Sequence, residues 1–332
     1  MNRHRRGFLP LCLLIIALGW IFGPPGLAKT PEKTFRISVS QFVEHPALDA
    51  VLKGFQDDLK EAGVPVAYSV HNAQANMATA GQIASQIMGE SPDLILTIAT
   101  PTSQAAAQAL KKSPHMAKVP FLFTAVTDPL AAGLVSDLEA PGGNLTGVSD
   151  RLPVDRHIEM VRTFYPELKR LGVLYNAGEA NSRATVEQIK EEGAKHGFEV
   201  VEATVSKSSD VYQAAGSLSG KVDAVWIPTD NTVVSGLESA VKVSNASDLP
   251  LFCADVDSVA RGAVAAMGFD YYQHGRQTGA MARRILLDGA DPGKTPVETQ
   301  ETLQLHLNLT AAREMGVDVP ESIRKRADKV YE

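Results

Sequence analysis

Short apolar runs alternate with amphipathic stretches along the chain from residue 34 onward. Leu94–Ile98 is apolar on both faces, which is typical of a strand inside a parallel sheet. Within 47–62 the apolar residues, among them Val51, Phe55 and Leu59, recur at helical spacing. This alternation predicts an α/β fold in which helices flank parallel sheets.

The same alternation occurs twice, which predicts two similar α/β domains. The predicted strands are 35–39, 64–70, 94–98 and 120–124 in the first half, and 171–175, 199–205, 224–227, 251–253, 263–269 and 303–309 in the second. Among the predicted helices are one uninterrupted helix over 233–245, one over 271–288, and a charged helical tail over 321–329. The halves share a pattern and not a sequence, so no internal repeat is inferred.

Polar segments follow most of these strands. They are Ser40-Gln41, Thr100 to Ser103, Thr124 to Asp128, Asn176 to Ser182, Thr229 to Asn231 and Asp255 to Asp257, and they contain no Lys, Arg or His. Ligands of open parallel sheets bind at the carboxyl ends of the strands. We therefore predict two facing polar rims that close on one small ligand. The alternative is that Thr102, Ser103, Asn181 and the aspartates only cap helices.

The N-terminus has the pattern of a secretory signal peptide. Asn2 to Arg6 is basic, Leu9 to Phe22 is apolar, and Gly26-Leu27-Ala28 offers small residues for cleavage. We predict a signal peptide over 1–28 and a periplasmic or secreted protein; the alternative is an uncleaved membrane anchor. Cys12 lies inside the apolar run, which argues against a lipid-modified N-terminal cysteine.

Charge and composition exclude several functions. Residues 1–28 carry three arginines and no acid, so their removal changes the net charge from −6 to −9. Nucleic acid is therefore not an expected partner, because phosphate binding needs clustered Lys and Arg. Cys253 would be the one remaining cysteine, so no intrachain disulfide is expected. No G-x-S-x-G or G-x-G-x-x-G motif follows a strand, and the histidines lack metal-ligand spacing. We expect no enzyme, cofactor or metal.

Seven blocks carry a resemblance to a known family. They are SQFVEHPALDAVLKGF, IATPTSQAAAQAL, PFLFTAVTDPLAAGLV, PGGNLTGVSD, GVLYNAGEANS, VWIPTDNTV and GFDYYQHGRQTG. The chain from residue 34 onward resembles the tryptophan/tyrosine-binding family of ABC transporter substrate-binding proteins. The resemblance implies a type I periplasmic-binding fold with two Rossmann-like lobes, a hinge of about three crossings and a ligand cleft. It also implies a permease and its ATPase as partners, and we expect a monomer.

The resemblance places ligand-binding residues on the polar segments. On the first lobe they are Gln41, Thr100, Thr102, Ser103 and Thr124; on the second they are Asn176, Asn181, Asp230, Asn231 and Asp255. The first lobe is expected to span 34–149 plus 273–301, and the second 150–272 plus 302–332.

The sequence is best interpreted as a binding protein for a small amino-acid-like ligand. We expect the ligand carboxylate at the helix that starts near Thr102, together with the hydroxyls of Ser103 and Thr124. The ammonium would lie on the other lobe, at Asp255 first and Asp230 second, so that binding closes the hinge.

Some side chains and functions stay open. His45 is a further candidate for the cleft, and Phe42, Tyr175, Tyr271 and Tyr272 could stack on an aromatic ligand or pack in the core. The alternative function is an extracytoplasmic sensory module that reports ligand to a receptor.

Overall fold

The structure, a computed structural model, describes residues 33–332. The predictions of a signal peptide and of the role of Cys12 lie outside the described residues. Among residues 33–332, no helix is both long and apolar enough to cross a bilayer.

Thirteen strands are present in the described part of the chain. They are β1 (Phe35–Gln41), β2 (Val66–Asn72), β3 (Leu94–Ile98), β4 (Phe121–Thr124), β5 (Leu145–Ser149), β6 (Arg170–Asn176), β7 (Glu199–Val205), β8 (Ala224–Ile227), β9 (Leu251–Cys253), β10 (Ala265–Gly268), β11 (Glu298–Thr299), β12 (Gln304–Asn308) and β13 (Lys329–Tyr331).

Twelve α-helices connect or follow these strands in the same described part. They are α1 (Pro46–Glu61), α2 (Met77–Glu90), α3 (Thr100–Lys111), α4 (Val154–Phe164), α5 (Ala180–His196), α6 (Val211–Gly216), α7 (Asn231–Ser235), α8 (Leu237–Ala246), α9 (Asp257–Ala260), α10 (Tyr271–Leu286), α11 (Leu309–Glu314) and α12 (Glu321–Arg326). Short 3-10 turns lie at Pro114–Met116, Ser208–Asp210 and Pro292–Lys294.

The strands form two sheets, and each sheet defines one lobe. The sheet of lobe I has the order β11-β5-β4-β3-β1-β2 and is parallel throughout. The sheet of lobe II has the order β13-β12-β10-β9-β8-β6-β7, and within it β12 runs antiparallel to β10. Each lobe buries its own apolar core. The predicted α/β architecture is confirmed, and the exact lobe boundaries stay a prediction.

The chain crosses between the lobes three times. It passes from β5 to α4, from β10 to α10, and from β11 to β12. Helix α10 packs on α1 in lobe I at very short range, because a Cβ at Gly54 would lie 2.0 Å from Tyr272 O, and a Cβ at Gly275 would lie 2.0 Å from Val51 O. Glycine at these two positions therefore holds the second crossing against lobe I.

Two predicted helices differ from the structure. The helix predicted over 233–245 is divided into α7 and α8 at Gly236, where a Cβ would lie 3.0 Å from Ser208 O. The tail predicted as helical over 321–329 ends as α12 at Arg326. It then continues as β13, which pairs with the edge of β12. Both differences come from contacts with distant segments, which a local pattern does not contain.

The core of lobe II buries one histidine without a charge partner. The ring of His157, on α4, lies edge-on to that of Trp226 at 5.5 Å between centroids. Burial lowers the pKa of His157 to about 4. The unfolded chain is therefore protonated at this position below about pH 6.5, whereas the folded chain is protonated there only below about pH 4. The stability contributed by the neutral ring is present above pH 6.5 and is lost as the pH falls towards 4.

We expect His157→Phe to remove this acid sensitivity. When the pH is lowered from 8 to 5, the free energy of unfolding of the wild type should fall by about 2 kcal/mol more than that of the variant. Urea unfolding at the two pH values measures the difference. If the free energy of unfolding differs between variant and wild type by the same amount at both pH values, then His157 binds its proton as readily in the folded protein as in the unfolded chain.

Candidate functional site

The two lobes meet at a narrow cavity, within which the centre of a water molecule can occupy about 20 Å3. It is lined by His45, Ala47, Leu48, Ala125, Thr127, Asp150, Asn181, Thr229, Asp230, Asn231, Val234, Asp255 and Tyr271. The hydroxyls of Thr127 on lobe I and Thr229 on lobe II lie 2.9 Å apart and form a hydrogen bond across the cleft. Since loops from both lobes surround the cavity, the described conformation is closed.

Lobe I presents hydrogen-bond donors to the cavity through the start of α1. Ala47 and Leu48 lie in the first turn of this 16-residue helix, where backbone N–H groups have no intrahelical acceptor. The residue before the helix, His45, makes no side-chain cap. The first turn contains one acidic residue, Asp49, which accepts from Gln41, but no side chain caps the free N–H groups, and these can therefore meet an anionic group.

Lobe II presents acceptors instead, because protein carboxylates already cap its helix α7. Asp230 accepts from the backbone N–H of Val233, and Glu179 accepts from those of Asn231 and Thr232 at 3.2 and 2.9 Å. Glu179 also accepts from the side chains of Asn181, Asn231 and Thr232. This helix start therefore cannot attract a second anion, and the wall it forms is acidic.

Three buried polar residues at the cavity leave four atoms unsatisfied. Both ring nitrogens of His45, Oδ1 of Asp150 and Oδ1 of Asn181 have no hydrogen-bond partner among residues 33–332. Thr127 lies near Asp150, and Asn231 lies near His45, but neither pair forms a hydrogen bond of acceptable geometry. Buried polar atoms are seldom left unpaired, so these atoms are the candidates for hydrogen bonds to a ligand.

The carboxyl groups at the cavity are held away from water. Burial raises the pKa of Asp150 and of Asp255. Burial and the charge of Glu179 raise the pKa of Asp230 to about 8. No lysine or arginine is among the residues that line the cavity in the described part. A ligand cation at this wall would lower these pKa values again and so favour the ionised carboxylates.

Histidine 45 is neutral in this environment. Burial lowers its pKa to about 4, although the neighbouring Asn231 side chain opposes the shift. One ring nitrogen is therefore a donor and the other an acceptor at neutral pH. The imidazole can hydrogen-bond a ligand without adding a charge to the cavity.

Four of the ten predicted site residues line the cavity. They are Asn181, Asp230, Asn231 and Asp255, all on lobe II. Both carboxylate oxygens of Asp255 already accept from Ser258, and those of Asp230 accept from Asn176, Ser182 and Val233. These two aspartates therefore have few free hydrogen-bonding positions for a ligand.

The other six predicted residues lie outside the cavity wall. At the start of α3, the hydroxyl of Thr102 donates to Ile98 O, and that of Ser103 donates to Ala99 O. The hydroxyl of Thr100 is buried and has no partner within the described chain.

The remaining three are engaged in contacts within their own lobes. Gln41 donates to Asp49, the Thr124 hydroxyl pairs with that of Thr278 at 2.8 Å, and Asn176 donates to Thr232. Ligand contact by these six residues stays a prediction.

Asp150, Tyr271 and Glu179 are among the residues at the site that were not among the ten. Asp150 follows β5 at the first crossing, and Tyr271 donates to it at 2.8 Å from the start of α10. Glu179 precedes α5. Glu179 lies in the loop after a predicted strand, whereas Asp150 follows β5, a strand that the sequence pattern did not predict. His45, singled out from its place after the first strand, does line the cavity, as does Tyr271.

The chain is similar to proteins whose names refer to an aromatic amino acid. A tyrosine-binding protein from Clostridioides difficile is 40% identical over 281 residues, which cover 83% of this chain and 79% of that protein. The crystal structure of an ABC domain in complex with L-Trp from Streptococcus pneumonia is 34% identical. It superposes with a TM-score of 0.84 and covers 90% of this chain and all of that one.

A third relative differs in conformation. The ligand-free, open structure of a substrate-binding protein with adhesive properties from Clostridium difficile is 37% identical. It covers 90% of this chain and 99% of its own, with a TM-score of 0.66.

The family model described as ABC transporter substrate binding protein matches residues 36–331. This chain therefore belongs to the family of ABC transporter substrate-binding proteins.

Proposed function

We propose that this protein captures an amino acid with an aromatic side chain in the closed cleft and delivers it to its permease. Substrate-binding proteins of this family bind solutes and are not enzymes, and they work with an ABC transporter. The observation that carries the amino-acid assignment is the opposite polarity of the two walls. The start of α1 offers donors to a carboxylate, while the opposite wall offers acidic acceptors to an ammonium.

In this proposal the ligand carboxylate lies at the N–H groups of Ala47 and Leu48. The ammonium lies at the unsatisfied oxygens of Asp150 and Asn181, within the field of Asp230 and Asp255. The helix start at α1 replaces the start of α3 as the proposed carboxylate site, because α1 lines the cavity. The aromatic side chain is supported by the relatives, since one is a tyrosine-binding protein and another was solved with L-Trp.

Closure around the ligand is part of the proposal. The chain superposes on the L-Trp complex with a TM-score of 0.84 and on the open, ligand-free relative with 0.66, although the identities are 34% and 37%. The similar identities indicate that the lobe arrangement makes the difference. Ligand then binds by shifting the population towards the closed form.

Calorimetry on protein that has been unfolded and refolded to remove carried ligand tests the assignment. We expect L-tyrosine or L-tryptophan to bind, and we expect tyramine and 3-(4-hydroxyphenyl)propionate to lose about 10- to 100-fold in affinity, because each lacks one charged group. Sugars and nucleosides serve as controls. Binding of a sugar, with no binding of any amino acid, would contradict the proposal.

Closure has its own measurement. The radius of gyration from X-ray scattering should decrease when the ligand saturates the protein. An unchanged radius with confirmed binding would remove hinge closure from the mechanism.

The proposed location is the periplasm or the exterior of the cell. Family membership implies a place outside the cytoplasm, and Asn2 to Ala28 has the pattern of a cleaved signal peptide. The exported protein should begin near Lys29. N-terminal sequencing of exported protein that still starts at Met1 would contradict cleavage. We further propose that the protein acts as a monomer and binds no nucleic acid.

A further inference from the structure

The contact between Asp150 and Tyr271 joins two of the three crossings at the wall of the cleft. Asp150 follows β5 at the first crossing, and Tyr271 is the first residue of α10 at the second. Both residues line the cavity, they are 3% and 4% exposed, and the Tyr271 hydroxyl donates to Asp150 Oδ2 at 2.8 Å. Oδ1 of Asp150 has no partner among residues 33–332. The bond to Tyr271 therefore determines which carboxylate oxygen stays available to a ligand.

Tyr271 is itself held in place by its neighbours at the start of α10. Its ring lies 5.9 Å from the ring of His274, measured between centroids. The buried His274 accepts from the backbone N–H of Ala125 at 3.1 Å, and Ala125 lines the cavity from lobe I. From the third crossing, Gln300 Nε2 donates to Asp270 O at 3.3 Å. A donor that is fixed in this way can hold its acceptor in one orientation.

The same hydroxyl favours the charged form of Asp150. Burial raises the pKa of Asp150, and the hydrogen bond from Tyr271 opposes this rise. Burial and the charge of Asp150 raise the pKa of Tyr271 well above its usual range, so its hydroxyl keeps the proton and remains a donor at neutral pH. Tyr271 therefore helps Asp150 to stay ionised, which is the form that attracts a ligand cation.

We propose that Tyr271 is a positioning residue for the ligand ammonium: its hydroxyl engages Oδ2 of Asp150 and thereby directs Oδ1 towards the ligand. Tyr271 acts through Asp150 and not by its own contact with the ammonium. Because the bond joins the first two crossings, the orientation of Asp150 is fixed by the hinge and not by its own loop alone. This inference rests on the proposed function, in which the ammonium lies at Asp150 and Asn181.

A double-mutant cycle tests this, by calorimetry with L-tyrosine or L-tryptophan, whichever binds wild-type protein more tightly. Tyr271→Phe keeps the ring, and we expect affinity to fall about 5- to 30-fold because the carboxylate is free to turn away. In the Asp150→Asn background the same change should cost about twofold or less, or restore affinity, because the released amide can turn its oxygen to the ammonium. A loss of equal size in both backgrounds would show that Tyr271 acts independently of Asp150 and would overturn the inference.

The pH dependence of binding separates this role from simple packing. If the ammonium binds ionised Asp150, affinity falls as the pH is lowered through the pKa of that carboxyl. Without the Tyr271 hydroxyl this pKa is higher, so in Tyr271→Phe the fall should begin at a higher pH than in wild type. A ratio of the two affinities that is the same at every pH would overturn the inference. The other ionisable groups around the pair are common to both proteins and affect both profiles; they are His45, Arg151, Asp230, Asp255, Asp257 and His274.

Tyr272→Phe is the matched control. The hydroxyl of this adjacent residue also donates to a carboxylate, Asp57 on α1 at 3.1 Å, but Tyr272 does not line the cavity. The control should keep the wild-type affinity and pH profile. If it loses as much affinity as Tyr271→Phe, the loss does not come from the contact with Asp150 and the inference is overturned.

A second substitution serves if Tyr271→Phe does not fold. Placing 3-fluorotyrosine at residue 271 keeps the ring and the hydrogen bond and makes the donor more acidic. The fall in affinity should then move to lower pH, because a stronger hydrogen bond to the carboxylate favours its charged form. An unchanged profile would overturn the inference. If wild-type protein binds no aromatic amino acid at all, the proposed function itself fails.

Discussion

Replacing Glu179 by alanine should lower the free energy of unfolding by about 3–5 kcal/mol. The carboxylate is 2% exposed and accepts five hydrogen bonds, from the backbone and side chains of Asn231 and Thr232 and from the side chain of Asn181. Alanine leaves the backbone N–H groups of Asn231 and Thr232 without their acceptor inside a buried region. Ligand affinity should fall as well, because Asn181 and Asn231 line the cleft.

Glu187→Ala, on the helix α5 that Glu179 precedes, is the control for this prediction. Its side chain is 70% exposed and pairs with Lys190 at the surface, so the free energy of unfolding should change by about 0.5 kcal/mol or less. Guanidinium unfolding measures both variants. A loss below about 1 kcal/mol for Glu179→Ala would show that water replaces the carboxylate without cost and that the residue does not hold α7 in place.

Replacing Asp150 by asparagine should reduce affinity for the aromatic amino acid about 10- to 150-fold. Hydrogen bonds to charged groups contribute roughly 1.5–3 kcal/mol, and the amide can place an N–H₂ donor where the ammonium needs an acceptor. The contact with Tyr271 survives, since the amide oxygen can still accept from its hydroxyl. The free energy of unfolding should not decrease, because the change removes a buried charge.

Asp255→Asn separates the role of Asp150 from the general charge of the wall. Both oxygens of Asp255 are used by Ser258, so this variant should lose less affinity than Asp150→Asn. Calorimetry with the same amino acid compares the two. A larger loss at Asp255 would return the ammonium to the residue that sequence reasoning favoured.

Most of the fold could be predicted from the pattern of apolar strands along the sequence. Leu94–Ile98 is a strand with the predicted bounds, because both of its faces are covered and all five residues are buried, four of them apolar. The polar ends of the lobe II strands were also correctly placed beside the cavity, as Asp230 and Asp255 show. In these cases one segment and its place in a parallel sheet determine the outcome.

The missing parts depend on how distant segments meet. Helices α1 and α3 both begin after strands of lobe I, and no local pattern tells which start faces the cleft. Asp150 becomes a cleft residue through a crossing whose direction is set with Tyr271, 121 positions away. Glu179 looks like an ordinary loop acid until residues 52 and 53 positions later donate to it. Such roles arise from the arrangement of the lobes and not from periodicity.

The hydrogen bond between Thr127 and Thr229 has a consequence for transport kinetics. It joins the lobes without any ligand atom, so it stabilises the closed form whether the cleft is full or empty, by roughly 0.5–1.5 kcal/mol. A larger pre-closed fraction raises the apparent affinity for ligand in proportion. It also increases the number of empty closed molecules, which compete with loaded ones for the permease. In the proposed transport role, a stronger Thr127–Thr229 bond would favour scavenging at low solute concentration and lower the maximal import rate at high concentration.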